Sequence, residues 1–225
     1  MATALKLSVL WEAVDMIPKK EEIIKAFEER HGKELQKKFS KAIVAVCGLG
    51  GLGSNIAVSL ARAGIGKLIL IDFDKVDITN INRQQYKISQ IGEYKTDALF
   101  KNLREISPYI ELETHTVRIN EDNVSDLLKN ADIICEAFDK AESKAMLVNT
   151  VFEKFPEKFL VSGSGMAGIG SANSIKTRKI TNRFYICGDE VSDMEDNSLF
   201  STRVMRCASH QAHAVLRILA GETNN

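Results

Sequence analysis

Ala42-Ile43-Val44-Ala45-Val46-Cys47-Gly48-Leu49-Gly50-Gly51-Leu52-Gly53-Ser54 is the stretch that decides the architecture of this chain. The apolar run from Ala42 to Cys47 reads as a strand buried on both faces, as in a parallel sheet. Gly48-x-Gly50-x-x-Gly53 follows at once, and the small residues from Ser54 to Ala63 read as a helix ended by Gly64 and Gly66. Strand, glycine turn and helix in that order form a phosphate-binding context. Glycine lets the backbone approach, and the helix N-terminus supplies N–H donors and dipole. A tight turn without a ligand is the plain alternative. The bare pattern is weak, since Gly163-x-Gly165-x-x-Gly168 matches it too. Beyond that second match Ser174-Ile175-Lys176-Thr177 is polar and β-branched, so it reads as a glycine-rich loop leading into a strand.

Working outward, Lys67–Asp72 predicts a second strand, and residues 96–106 a helix closed by Ser107-Pro108. Strands near 110–117, 131–138 and 158–162 alternate with helices near 121–129 and 140–155. That alternation predicts an α/β fold with a Rossmann-like, doubly wound parallel sheet. After Gly163, Ser171–Ile180 and Arg183–Cys187 read as extended segments joined by a short turn, so antiparallel strands are expected in the C-terminal half. A helix from about 202 to 220 closes the chain. Residues 1–40 read as an amphipathic helical extension, with Val14, Ile17, Ile23, Ile24 and Phe27 on one face and Gly32 as a stop. The whole of 1–225 is expected to be one domain.

Lysine plus arginine (30) equals aspartate plus glutamate (30), which leaves no net electrostatic footprint for nucleic acid or a membrane surface. No apolar run approaches a membrane span, and the N-terminus lacks the pattern of a signal peptide. Cys47, Cys135, Cys187 and Cys207 are widely spaced, which reads as a reduced, cytoplasmic chain without a disulfide framework.

The glycine loop says only that a nucleotide binds. Asp72, nineteen residues after Gly53, can accept hydrogen bonds from ribose hydroxyls, which ATP and NAD share. Arg83 in the following loop and Lys95 at a helix start instead suit a triphosphate, where fixed cations answer charge that builds on phosphate oxygens. Asp139, just past the fourth strand, can hold Mg²⁺. Each has a bland reading: a loop ion pair for Arg83, a solvated helix start for Lys95, an N-cap for Asp139. Their conjunction on one sheet edge favours nucleotide chemistry.

Gly48-Leu49-Gly50-Gly51-Leu52-Gly53-Ser54, Asp72-Phe73-Asp74-Lys75-Val76, Asn80-Ile81-Asn82-Arg83-Gln84 and Ile91-Gly92-Glu93-Tyr94-Lys95, with Asp139 after the fourth strand, resemble the ThiF/MoeB/ubiquitin-activating-enzyme superfamily. The resemblance is strong over residues 40–165 and weaker to the end. It implies an ATP- and Mg²⁺-dependent adenylyltransferase, homodimeric, acting on the C-terminal glycine carboxylate of a ubiquitin-fold sulfur carrier, in thiamine biosynthesis. It divides the chain into a helical extension (1–40), a nucleotide-binding half (41–165) and a carrier-binding half (166–225). It implies nucleotide contacts from Gly48, Gly50, Gly51, Gly53, Asp72, Asp74, Asn80, Arg83, Gln84 and Lys95. Arg83, Lys95 and Asp139 carry the catalysis, with Asp139 on the metal. Arg30 is the candidate for an arginine that reaches the partner subunit's ATP, and Cys187 for a cysteine used in sulfur transfer.

Two features depart from the family. The paired CxxC motifs of zinc-bearing relatives are missing, so no zinc site is expected. The acidic residues Asp189, Glu190, Asp193, Glu195 and Asp196 beside Cys187 would raise its pKa, although their loop can close over a carrier tail. Cys207, His210 and His213 offer only three ligands from one helix, a poor zinc site. Other readings stay open: a carboxylate on modified tRNA or a peptide, a nicotinamide-dependent oxidoreductase, or a non-catalytic scaffold.

Overall fold

The computed structural model describes residues 17–192 and 198–223. Its centre is a seven-stranded sheet. The strands are β1 (Ile43–Cys47), β2 (Lys67–Ile71), β3 (Glu111–His115), β4 (Ile133–Glu136), β5 (Phe159–Gly163), β6 (Lys176–Thr181) and β7 (Phe184–Gly188). Their order is β3-β2-β1-β4-β5-β7-β6. The helices are α1 (Lys20–His31), α2 (Lys33–Phe39), α3 (Gly51–Arg62), α4 (Lys95–Ile106), α5 (Val124–Leu128), α6 (Ala141–Lys154) and α7 (Ser201–Ala220).

The strand order reverses between β1 and β4, where the carboxyl ends of the strands open a crevice, the usual ligand position in a doubly wound sheet. Val44, Ala45, Val46 and Cys47 are all buried, as a central strand covered on both faces requires. One apolar cluster joins β1 to Leu52, Ile56 and Leu60 of α3 and to Val204, Ala208 and Val215 of α7. The other joins Ala45, Ile69 and Ile134 to Leu128 of α5 and to Leu147 and Val151 of α6.

The expected antiparallel addition is β6, which pairs antiparallel with β7. β7 itself runs parallel to β5, because the hairpin docks through its second strand. The N-terminal helix is broken at Gly32 (φ +83°), which ends α1 and starts α2. Its expected apolar face is not a core face: α1 has no buried residue and Ile17 is 57% exposed. Phe27 and His31 stack, and His31 meets Phe39 edge-on, within the extension, which touches the domain where Gln36 Nε2 donates to Gly64 O (3.2 Å) and Tyr109 Oη donates to Pro18 O (3.0 Å). Val14 lies outside the described residues. Among the described residues no helix is long and apolar enough to cross a membrane.

Candidate active site

The crevice is a cleft of about 750 Å³ lined by the glycine loop, the ends of β2 and β4, the segment around Asn80–Gln84, and residues 163–166 and 190–192. Gly48 has φ +90°, and a Cβ on Gly53 would stand 1.8 Å from Gly48 O, so the turn closes only around glycines. Gly51 packs closely on Val204, since a Cβ there would lie 2.9 Å from Val204 Cγ1. Gly50 is different. A Cβ on it would meet only Gln84 Nε2, at 3.8 Å, which leaves open space at the N-terminus of the twelve-residue α3.

Buried polar residues of α3 hold the neighbouring loop. Asn55 Nδ2 donates to Arg83 O (3.1 Å), Gln85 Nε2 donates to Asn55 Oδ1 (2.7 Å), and Gln85 N donates to Ser54 Oγ (3.1 Å). This fixes the backbone that carries Arg83 and Gln84. Asn80 ends a short 3₁₀ turn and accepts from Asp77 N (3.1 Å). Arg83 Nη1 donates to Thr79 O (2.8 Å) and Asn82 Oδ1 (2.9 Å). Burial pulls the Arg83 guanidinium below its ordinary range, and the Asp139 carboxylate opposes that pull.

Asp72 Oδ2 accepts from Leu49 N (2.6 Å) and Oδ1 from Asp74 N (2.7 Å). The same carboxylate therefore ties the end of β2 to the glycine turn. Burial raises its pKa, against the opposing pull of Lys95 and the two amides. Lys95 opens α4 and is buried. Its Nζ lies 3.0 Å from Asp74 Oδ2 and 3.9 Å from Asp72 Oδ2, so its charge sits between two carboxylates at the cleft edge. Asp139 is exposed and lines the cleft. It does not cap α6, whose N-cap position is Lys140. Gln84 Oε1 is buried without a hydrogen-bond partner among the described residues. An open glycine cradle, two cations, an orphaned buried oxygen and an exposed carboxylate suit a nucleotide with its metal.

Gly48, Gly50, Gly51, Asp72, Asp74, Asn80, Arg83, Gln84, Lys95 and Asp139 all line this one cleft. Gly53 shapes the turn from behind. Arg30 is exposed on α1 and does not line the cleft of its own chain. Cys187 is fully buried in β7. Its thiol is pushed up to about 11 by burial, only partly opposed by a bond with Thr177, so among the described residues the cause is desolvation and not Asp189 or Glu190. Asp189 keeps only 7% of its side chain exposed, in an ion pair with Arg203, and Asp193, Glu195 and Asp196 lie outside the described residues. Cys207 Sγ donates to Cys187 O, and His210 Nδ1 bonds Thr177 Oγ1, so these two candidate ligands turn to different partners.

Glu136 and Lys144 escaped the sequence reading. Lys144 lines the cleft and bonds Glu136 Oε2 (2.5 Å) and Gly163 O (2.7 Å). Glu136 is 0% exposed and also accepts from Phe138 N (2.7 Å) and Ser162 Oγ. The available signal was an acid ending the otherwise apolar strand Ile133-Ile134-Cys135-Glu136.

This cleft and sheet define an α/β nucleotide-binding protein, and residues 23–225 match the ThiF family, to which the chain belongs. It is 36% identical over 137 residues to the adenylyltransferase and sulfurtransferase MOCS3 of Culex quinquefasciatus, covering 60% of this chain and 31% of that protein. It is 29% identical over 136 residues to the sulfur carrier protein adenylyltransferase of Thermus thermophilus, covering 60% of this chain and 45% of the other. The matches thus span about a third to under half of those relatives' length. In fold it is similar to the tRNA N6-threonylcarbamoyladenosine dehydratase TcdA of E. coli in complex with ATP. The TM-score is 0.81 at 19% identity, covering 92% of this chain and 98% of that one.

Proposed function

We propose that this chain is an adenylyltransferase that activates the C-terminal glycine carboxylate of a small ubiquitin-fold sulfur-carrier protein with ATP. The observation that carries the reading is the convergence of Arg83, Lys95 and Asp139 on the cleft beside the Gly50 cradle. The phosphates lie on the cradle and the α3 N-terminus, with Asp72 toward the ribose. A carboxylate oxygen of the carrier attacks the α-phosphorus. The new acyl–phosphate bond forms as the bond to the β-phosphate oxygen breaks, and pyrophosphate leaves with that electron pair. Arg83 and Lys95 answer the charge on the phosphate oxygens, and Lys95 exchanges Asp72 and Asp74 for phosphate as it does so. Asp139 is the residue that would hold Mg²⁺, which neutralises phosphate charge when bound. The family resemblance extends the reading to a homodimer, with Arg30 serving the partner's nucleotide, and to sulfur delivery in thiamine biosynthesis. The buried, neutral thiol of Cys187 has no part in this step.

The full-length likeness in fold to TcdA favours one alternative, a carboxylate on modified tRNA. Balanced net charge argues against it.

ATP–pyrophosphate exchange with Mg²⁺ tests the proposal, with and without a ubiquitin-fold carrier ending in Gly-Gly, in the wild type and in Asp139→Ala. Carrier-dependent exchange lost in the variant is the expected result. ATP binding without exchange points to a different carboxylate. Absence of ATP binding overturns the reading and returns a nicotinamide-dependent oxidoreductase to consideration.

A further inference from the structure

One wall of the cleft is made of two segments that follow strand ends. Gly163, Ser164, Gly165 and Met166 continue from β5, and Glu190, Val191 and Ser192 continue from β7. They are stitched together. Asp189 N donates to Gly165 O (2.9 Å), Glu190 N to Ser164 O (3.0 Å) and Ala167 N to Ser192 Oγ (3.1 Å). Gly165 has φ +78°, and a Cβ there would stand 2.1 Å from Asp189 Oδ1. Glu190 has φ +61°, a conformation that non-glycine residues hold only where their surroundings impose it.

Behind this wall lies one ion pair. Arg203 is in the first turn of α7 and is 5% exposed. Its Nη2 donates to Asp189 Oδ2 (2.5 Å), and its Nη1 donates to Gly170 O (2.7 Å) and Ser171 O (2.8 Å). Asp189 Oδ1 accepts from Val191 N (3.1 Å), Ser192 N (2.9 Å) and Ser192 Oγ (2.9 Å). One guanidinium therefore fastens to α7 both residues 170–171, downstream of the first wall segment, and Asp189, at the base of the second. Neither Asp189 nor Arg203 lines the cleft itself.

Stability alone does not call for this pair, because well-packed apolar residues in place of a buried ion pair are commonly as stable or more so. Arg203 Nε is even buried without a partner among the described residues. The arrangement does something an apolar pair cannot. A planar fork holds three acceptors from two separate segments at set distances, which a lysine ammonium on a flexible stem does not reproduce.

We propose that Asp189 and Arg203 are positioning residues that hold this wall in register with the nucleotide half, and that they govern use of the carboxylate substrate and not of ATP. The substrate clause rests on the adenylyl-transfer reading above. The two nucleotide-side cations, Arg83 and Lys95, are held by other contacts, to Thr79, Asn82 and Asp74, and the pair touches neither of them.

The test uses the full chain with Arg203→Lys and, separately, Asp189→Asn. Backbone hydrogen exchange is expected to quicken at residues 163–171 and 188–192 and to stay unchanged at 48–54 and 72–83. The KM for the Gly-Gly carrier is expected to rise by about tenfold or more, the scale of one lost charge-assisted hydrogen bond, with the Kd for ATP within about twofold. Unchanged exchange at the wall overturns the positioning role. A carrier KM that stays level, or an ATP Kd that weakens as much as KM, overturns the substrate assignment. A wild-type chain that binds ATP but uses no carrier defeats the functional reading and the substrate clause with it, and hydrogen exchange still decides the positioning role. If Arg203→Lys does not fold, Arg203→Met combined with Asp189→Leu, which leaves no buried charge, carries the same readouts.

Discussion

Lys144 Nζ lies 2.5 Å from Glu136 Oε2, and because the same ammonium donates to Gly163 O it joins the carboxyl ends of β4 and β5 beneath the cleft. Glu136 is 0% exposed while Lys144 keeps 24% of its side chain accessible. Removing the lysine leaves a buried carboxylate without its cation. Lys144→Met should lower unfolding free energy by about 3 kcal/mol, the lower end of the range for broken buried pairs because Lys144 is partly solvated. Adding Glu136→Gln should recover part of that loss. Urea unfolding of the two variants checks both statements, and full stability in Lys144→Met would mean the pair carries no weight.

The glycines of the turn should separate by role. Gly53→Ala places a methyl 1.8 Å from Gly48 O and should abolish or severely impair folding. Gly50→Ala meets open space, so the fold should survive while the methyl occupies the phosphate cradle. Thermal melts together with equilibrium ATP binding distinguish them: loss of Tm in the first, loss of affinity at nearly constant Tm in the second.

Asp189 predicts a feature of the acid limb of stability. Burial alone would raise its pKa, but the bonds from Ser192 and Val191 and the Arg203 charge outweigh it, and the folded value lies below the ordinary one of 3.8. A carboxyl depressed in the folded state adds stability that is complete above its unfolded pKa and is lost as pH falls through the folded pKa. Asp189→Asn should therefore flatten the stability–pH curve below about pH 4. Chemical unfolding across pH 2.5 to 7 reads the slope, and an unchanged acid limb would show that Asp189 is not held by those contacts.

All four cysteines are buried in the folded chain. Burial raises the thiol of Cys187 to about 11, which leaves little thiolate near neutral pH. A thiol reagent should react slowly until denaturant is added, and Cys187→Ser should keep pyrophosphate exchange. Rapid labelling of one native thiol, or exchange lost in that variant, would restore a role for the cysteine.

What could be read from the residues alone was local and contiguous. The buried run ending at Cys47, the turn closed by Gly53, and the polar residues Asp72 and Asp139 just beyond strand ends follow from nearest-neighbour chemistry, and the structure places each where that chemistry puts it. The direction of β7 did not follow, because it depends on which strand of a hairpin meets β5, a choice made by distant contacts. Glu136 with Lys144, and Asp189 with Arg203, are pairs whose partners are brought together only by folding. Ile17 and Ile24 kept helical spacing yet stay 57% and 37% exposed, since amphipathic rhythm shows that a face exists and not what it meets.

The placement of β6 outside β7 has a consequence for how the protein is made. In a chain that has emerged only as far as Gly163, β5 is the open border of a parallel sheet, with the backbone of Leu160–Gly163 lacking its β7 partner. The next strand to emerge, β6, is not the one that seals that border. That border is sealed only when β7 is available, with β6 pairing on its far side. A truncation between residues 164 and 183 therefore leaves a sticky strand edge exposed.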